Sequence, residues 1–202
     1  MPGITQAMAA QRKTPIPPFP RLGKLVHGYM ADAKIAGAAF AIGRHNRRAD
    51  FMAWGYSALT RGQFLNEDSL FRIYSMTKPV TAAAAMMLIE EGRLALGQDN
   101  ARFPAGFAQP QVLMNPARGI ESRPARQPVT VRNLLTHTAG LTYANIGGGP
   151  VERAYQELGL VPGQRSLAND VPRPPSLIAF AERLATVPLI ADPGTRWHYS
   201  IG

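Results

Sequence analysis

Ser75-Met76-Thr77-Lys78 is the part of this sequence best equipped for chemistry. On a helix, residues three apart share a face, so the hydroxyl and the amine can meet. A serine hydroxyl is a poor nucleophile until a base takes its proton. A lysine can be that base when burial disfavours its ammonium form. Ser75 also opens a helix, where backbone N–H groups favour developing negative charge. The bland alternative is that Ser75 caps the helix and Lys78 lies on a solvated face. The pair alone leaves both readings open.

Tyr199, in PGTRWHYS, is the second candidate. A tyrosine hydroxyl relays protons when neighbouring cations lower its pKa. His137 ends a short helix among Leu134, Leu135 and Leu141, and is expected to satisfy that helix's carbonyls. His198 adjoins Tyr199, but neighbours in sequence point in different directions. The four histidines are scattered and there is no HExxH, so no metal is expected. Gly147-Gly148-Gly149 lacks the G-K-[ST] ending of a phosphate loop, and no cofactor is expected. The absence of cysteine excludes a disulfide framework and a Cys nucleophile.

The elements that must position these residues follow from the apolar pattern. Leu22, Leu25, Val26 and Tyr29 recur at helical spacing over 22–34. AGAAFAIGR and ADFMAWGYS read as two strands, near 38–43 and 50–56, joined by the polar turn HNRR. From Ser75, SMTKPVTAAAAMMLIEEGRL predicts a helix stopped by Gly92, apolar on most sides and therefore expected to be buried. Residues 97–128 are rich in Pro, Gly and Arg and read mostly as loop. In VTVRNLLTHTAGL, Thr130 is the expected N-cap and Gly140 the stop. TYANIGGGP reads as a flexible loop, with helical patches at 151–158 and 176–185 after it. Tyr199 is expected to open one further element. The segments group as a mobile lead-in (1–21), a first lobe (22–74), and a catalytic helix with helical lobe (75–202).

Composition excludes several classes. The chain has 202 residues, 46% of them hydrophobic, so a substantial core is expected rather than disorder. Its formal net charge is +9, but the basic residues, 18 of 22 being arginine, are scattered. No nucleic-acid-binding module is recognisable, so no nucleic-acid partner is expected. The longest apolar run, Val80–Ile89, is far short of a membrane span. No signal peptide is visible, and the expected location is the cytoplasm.

Three ordered blocks, FRIYSMTKPVTAAAAMMLIEEGRLALGQD, VTVRNLLTHTAGL and PGTRWHYSIG, resemble the serine beta-lactamase-related hydrolases. This superfamily includes class C beta-lactamases, DD-peptidases and carboxylesterases, and the resemblance covers roughly residues 22–202. It implies Ser75 as the acylated nucleophile, Lys78 as its base partner and Tyr199 as the proton-transferring tyrosine. Ile201 stands where class C beta-lactamases carry Asn, which points to the carboxylesterase or transesterase branch and a small-molecule ester or amide substrate. Beta-lactamase or D-aminopeptidase activity is the alternative among enzymes, and a truncated, catalytically inactive ligand-binding or non-functional protein is the alternative from another class. The family's third motif (K-T-G, H-x-G or W-G-G) is not found in these residues. The resemblance therefore implies an α+β, beta-lactamase/transpeptidase-like fold that is incomplete. It would consist of the first strands of an antiparallel sheet plus a helical lobe, with Gly202 inside a helix. Such a fragment is expected to be inactive alone, or to pair with a second copy or a complementary C-terminal chain over its open sheet edge.

Overall fold

Two short apolar runs build the first sheet, and because successive strand side chains face opposite sides, Met52 and Trp54 of the second run share one buried face. The computed structural model describes residues 19–43, 50–60, 62–98, 107, 109–115, 119–144, 147–160 and 171–202. Strands β1 (Gly37–Ile42) and β2 (Asp50–Gly55) pair antiparallel, Ala38 opposite Trp54 and Phe40 opposite Met52. The expected hairpin strands are therefore present; the HNRR turn lies outside the described residues. Helix α1 (Pro20–Ala31) opens on proline, whose missing N–H has no helical partner to lose at that position. It packs Leu22, Val26 and Met30 against Met52 and Trp54. Gly23 lies against the indole: a Cβ there would meet the Trp54 ring at 3.4 Å, an ordinary van der Waals contact. Burying a side chain such as Val26 contributes about 1.5–3 kcal/mol. These elements belong to one of two compact units, which ends at Arg72.

The second unit, Ile73–Gly202, carries all three candidate residues. A single 3-10 turn, Tyr74–Met76, runs into α2 (Thr77–Glu90), and Gly92 stops it with φ +69°. Strands β3 (Gln111–Leu113) and β4 (Ser122–Pro124) form a second antiparallel pair, with Val112 opposite Arg123. Helices α3 (Val131–Leu135), α4 (Pro150–Glu157) and α5 (Leu177–Ala185) also belong to the unit. The core joins Val112, Leu113, Val129, Leu141, Tyr155, Leu160 and Leu189.

Three expectations are corrected. The chain is not one sheet cut down to its first strands plus a helical remainder. Among the described residues it holds two antiparallel sheets, and the second arises from the 97–128 stretch that reads mostly as loop. Its strands are three residues long, too short to show a two-residue period. They are fixed by long-range partners instead: Leu113 N–H donates to Leu189 O at 2.9 Å and Leu189 N–H to Gln111 O at 2.7 Å. Second, α2 has no buried residue; Val80 is 64% and Met87 61% exposed. An all-round apolar helix signals a preference for burial, but the pattern names no partner to provide it. Third, residues 196–202 form neither helix nor strand, so Tyr199 opens no regular element.

A charged fork closes this unit. Arg123 donates to both Asp192 carboxylate oxygens, at 3.2 and 2.6 Å, and Arg126 N–H adds a third bond at 2.9 Å. The two-pronged geometry suits a planar guanidinium. No helix among the described residues is long and apolar enough to cross a membrane.

Candidate active site

The chain bends sharply just before Ser75. Tyr74 has φ +45°, a left-handed conformation that costs a non-glycine residue about 1–2 kcal/mol. Ser75 follows in the 3-10 turn and is exposed. Lys78 lies in the first turn of α2, half-buried.

Two tyrosines receive the Lys78 ammonium. It donates to the Tyr143 hydroxyl at 2.6 Å and lies 5.2 Å from the centre of that ring and 5.1 Å from that of Tyr199. The two phenol rings stack with centroids 5.6 Å apart and planes 19° from parallel. Tyr199 also meets the nucleophile candidate. Hydrogen bonding from the Ser75 hydroxyl, with lesser help from Lys78 and Tyr143, holds the Tyr199 phenol below its ordinary pKa against the opposing effect of burial. Donors directed at a phenol oxygen favour its charged form. The structure thus brings Ser75, Lys78 and Tyr199 together, and adds Tyr143. Tyr143 lay in the segment read as a flexible loop. Its signal was position: it follows Leu141 and Thr142, which are buried and fix the backbone that carries it.

The segment bearing Tyr199 is held by neighbours on several sides. His198 N–H donates to His137 O at 2.8 Å, and Ile201 N–H reaches Thr142 O at 3.5 Å. The buried Thr142 hydroxyl donates to Glu152 at 3.2 Å. Its one proton is then committed, so it accepts from His198 Nε2–H at 2.9 Å. The His198 ring is thereby engaged by Thr142. His137 departs from its expected role: its Nδ1 lies 3.2 Å from Ser200 N instead of taking a carbonyl of its own helix. Ile201 packs on the core. No group of three or more His, Asp or Glu residues converges to hold a metal among the described residues.

The family model for Beta-lactamase matches residues 22–202. The chain belongs to the beta-lactamase family. Among curated relatives of this beta-lactamase-family chain, Protein Rv1367c of Mycobacterium tuberculosis is 37% identical over 82% of the chain and 38% of its own length. Esterase EstB of Burkholderia gladioli is 32% identical over 90% of the chain and 42% of its own length. The chain thus spans about two fifths of these relatives. Among solved structures, EstCE1, a hydrolase with promiscuous acyltransferase activity, superposes with TM-score 0.68 and 27% identity, over 90% of the chain and 43% of EstCE1.

Proposed function

We propose that this beta-lactamase-family chain carries the acylating serine of a hydrolase acting on small-molecule esters. The observation that carries the reading is the Lys78 ammonium, bonded to the Tyr143 hydroxyl at 2.6 Å and 5.1 Å from the centre of the Tyr199 ring. The Ser75 hydroxyl and Lys78 hold the phenol of that ring below its ordinary pKa. In this reading the Ser75 proton moves to the Tyr199 oxygen, whose negative form Lys78 stabilises. The freed Oγ attacks the ester carbonyl carbon. The amide of Ser75, at the entrance to α2, donates to the oxygen that gains charge. Collapse breaks the ester C–O bond, and Tyr199 returns its proton to the departing alkoxide. Water or an alcohol, deprotonated in turn by Tyr199, then attacks the acyl carbon, and the proton ends on Ser75 Oγ. Tyr143 holds the Lys78 ammonium in place throughout. Lys78 thus acts through the phenol rather than as the direct acceptor of the serine proton.

Esters are favoured over beta-lactams because Ile201, two residues after Tyr199, offers no amide side chain to a lactam. The names of the relatives support this: one is an esterase, another a hydrolase with acyltransferase activity, and a third, 29% identical, is the lovastatin esterase of Penicillium rubens. The test is to treat the protein with a fluorophosphonate and map the adduct by mass spectrometry. The adduct is expected on the peptide containing Ser75, with p-nitrophenyl acetate hydrolysed faster than nitrocefin. Labelling elsewhere, or full ester turnover in Ser75→Ala, would overturn the assignment.

A further inference from the structure

We propose that His137 is the positioning residue for Tyr199, gripping the chain on both sides of that tyrosine. Three contacts converge on this one residue. The His137 carbonyl oxygen accepts from His198 N–H at 2.8 Å. The ring nitrogen Nδ1 accepts from Ser200 N–H at 3.2 Å, and Ser200 Oγ lies 3.3 Å from the same nitrogen. The imidazole face lies 4.6 Å from the Tyr199 ring, centre to centre, at 46°. The residues before and after Tyr199 are thus both tied to His137, and the tyrosine is held between them. That stretch forms no helix or strand. Thr142, which meets His198 Nε2 and the Ile201 amide, holds its flanks, whereas His137 meets both flanks and the Tyr199 ring itself.

The backbone of His137 makes the grip possible. Its φ of +55° is left-handed, which turns its carbonyl and its side chain toward the 198–200 segment together. Glycine takes this conformation without penalty, so a position with only a backbone task would suit glycine better. The imidazole is therefore kept for its ring. A ring nitrogen that accepts an amide proton must be bare, which requires the neutral form with its proton on Nε2. Burial, and to a lesser degree the Lys78 charge, lower the His137 pKa and favour that form. Ser200 is almost fully buried and its hydroxyl accepts from Gly202 N–H at 3.3 Å, so the gripped segment continues past the tyrosine.

The inference rests on the reading of Tyr199 as the proton carrier, and the experiment separates the two. Ester turnover is measured for the protein and for His137→Gly, His137→Asn, Tyr199→Phe and the His137→Gly/Tyr199→Phe pair. Glycine keeps the backbone and removes the ring. Asparagine tolerates the left-handed conformation and places Oδ1 where Nδ1 lies. His137→Gly is expected to fold and to lose kcat by about 10- to 100-fold, as displacement of a reacting group does, with KM little changed. His137→Asn should recover most of that loss. In the Tyr199→Phe background the glycine substitution should cost nothing more, because a residue acting through another is not additive with it. Nitrogen-15 spectra of the histidines should show His137 Nδ1 unprotonated at neutral pH, a readout independent of activity. Full kcat in folded His137→Gly, an undiminished loss in the Tyr199→Phe background, or a protonated Nδ1 would each overturn the proposal. Should His137→Gly fail to fold, a folded His137→Asn with kcat as low as that of Tyr199→Phe would overturn it too. Unchanged turnover in Tyr199→Phe would instead sink the reading of Tyr199, leaving the grip to be judged by the nitrogen spectra.

Discussion

Lys78 and Tyr143 stand 65 positions apart in the chain, and the ammonium of one donates to the hydroxyl of the other at 2.6 Å. The bond fixes a long, flexible side chain whose charge the mechanism needs at the Tyr199 oxygen. Tyr143→Phe keeps the ring stack and deletes the acceptor. It is expected to lower kcat about tenfold, equivalent to roughly 1.4 kcal/mol, while the thermal midpoint stays the same. Steady-state ester kinetics beside a melting curve check this, and unaltered kcat would show that Lys78 needs no such anchor.

The pH profile should report Tyr199. The phenolate is the proton-accepting form, so ester kcat/KM should rise with pH through an apparent pKa below the ordinary tyrosine value of about 10. Ser75 and Lys78 both favour that form. Lys78→Met removes the charge and is expected to shift the rising limb to higher pH. Tyr199→Phe should abolish the limb and cost about 10²–10⁴ in rate. A limb that stays in place in Lys78→Met would contradict the electrostatic role given to that lysine.

Acid stability should be sensitive to Asp192. Its bonds to Arg123, then to the Arg126 amide, lower its pKa to about 2. An unfolded aspartate titrates near 3.9. The folded group is the stronger acid, so its contribution is fully present above about pH 4 and fades as pH falls through 2. Urea midpoints at pH 7, 4 and 2 should therefore fall more steeply for the wild-type protein than for Asp192→Asn across the lower interval. Parallel curves would show that the fork adds nothing to folding.

Gly140 marks the turn that leads from α3 toward Tyr143. Its φ is +81°, and a Cβ would overlap the carbonyl oxygen of Ala191. Gly140→Ala is expected to destabilise the protein by at least about 1–2 kcal/mol, the conformational penalty alone. Chemical denaturation measures it directly. A loss below half that figure would mean that the 140–143 backbone relaxes without difficulty.

The sequence pattern was most informative where one local rule decided the structure. Two apolar runs of strand length point to the β1–β2 pair, and Thr130 caps α3 as expected, with Asn133 completing the reciprocal bond. Ser176 caps α5 with a single bond, its hydroxyl accepting from Ala179 N–H. The three-residue spacing put Ser75 and Lys78 at one helix entrance. What stayed hidden depends on distant partners. β3 and β4 exist because Leu189 bridges to Val112. Tyr143 joins the site because Thr142, beside it, is pinned from Glu152 and His198. Neither relationship leaves a period or a motif in the local sequence. α2 is as apolar as its residues predict, yet none of them is buried.

Among the described residues, the only non-glycine positions with positive φ are Ala33, Tyr74 and His137. One of them immediately precedes the nucleophile candidate. Replacement of Tyr74 by glycine would relax the backbone and is expected to raise thermal stability, while loosening the bend that presents Ser75. Selection for stability and selection for turnover therefore pull this position in opposite directions. A lineage released from its substrate would be expected to drift toward glycine there, becoming sturdier as it lost its chemistry.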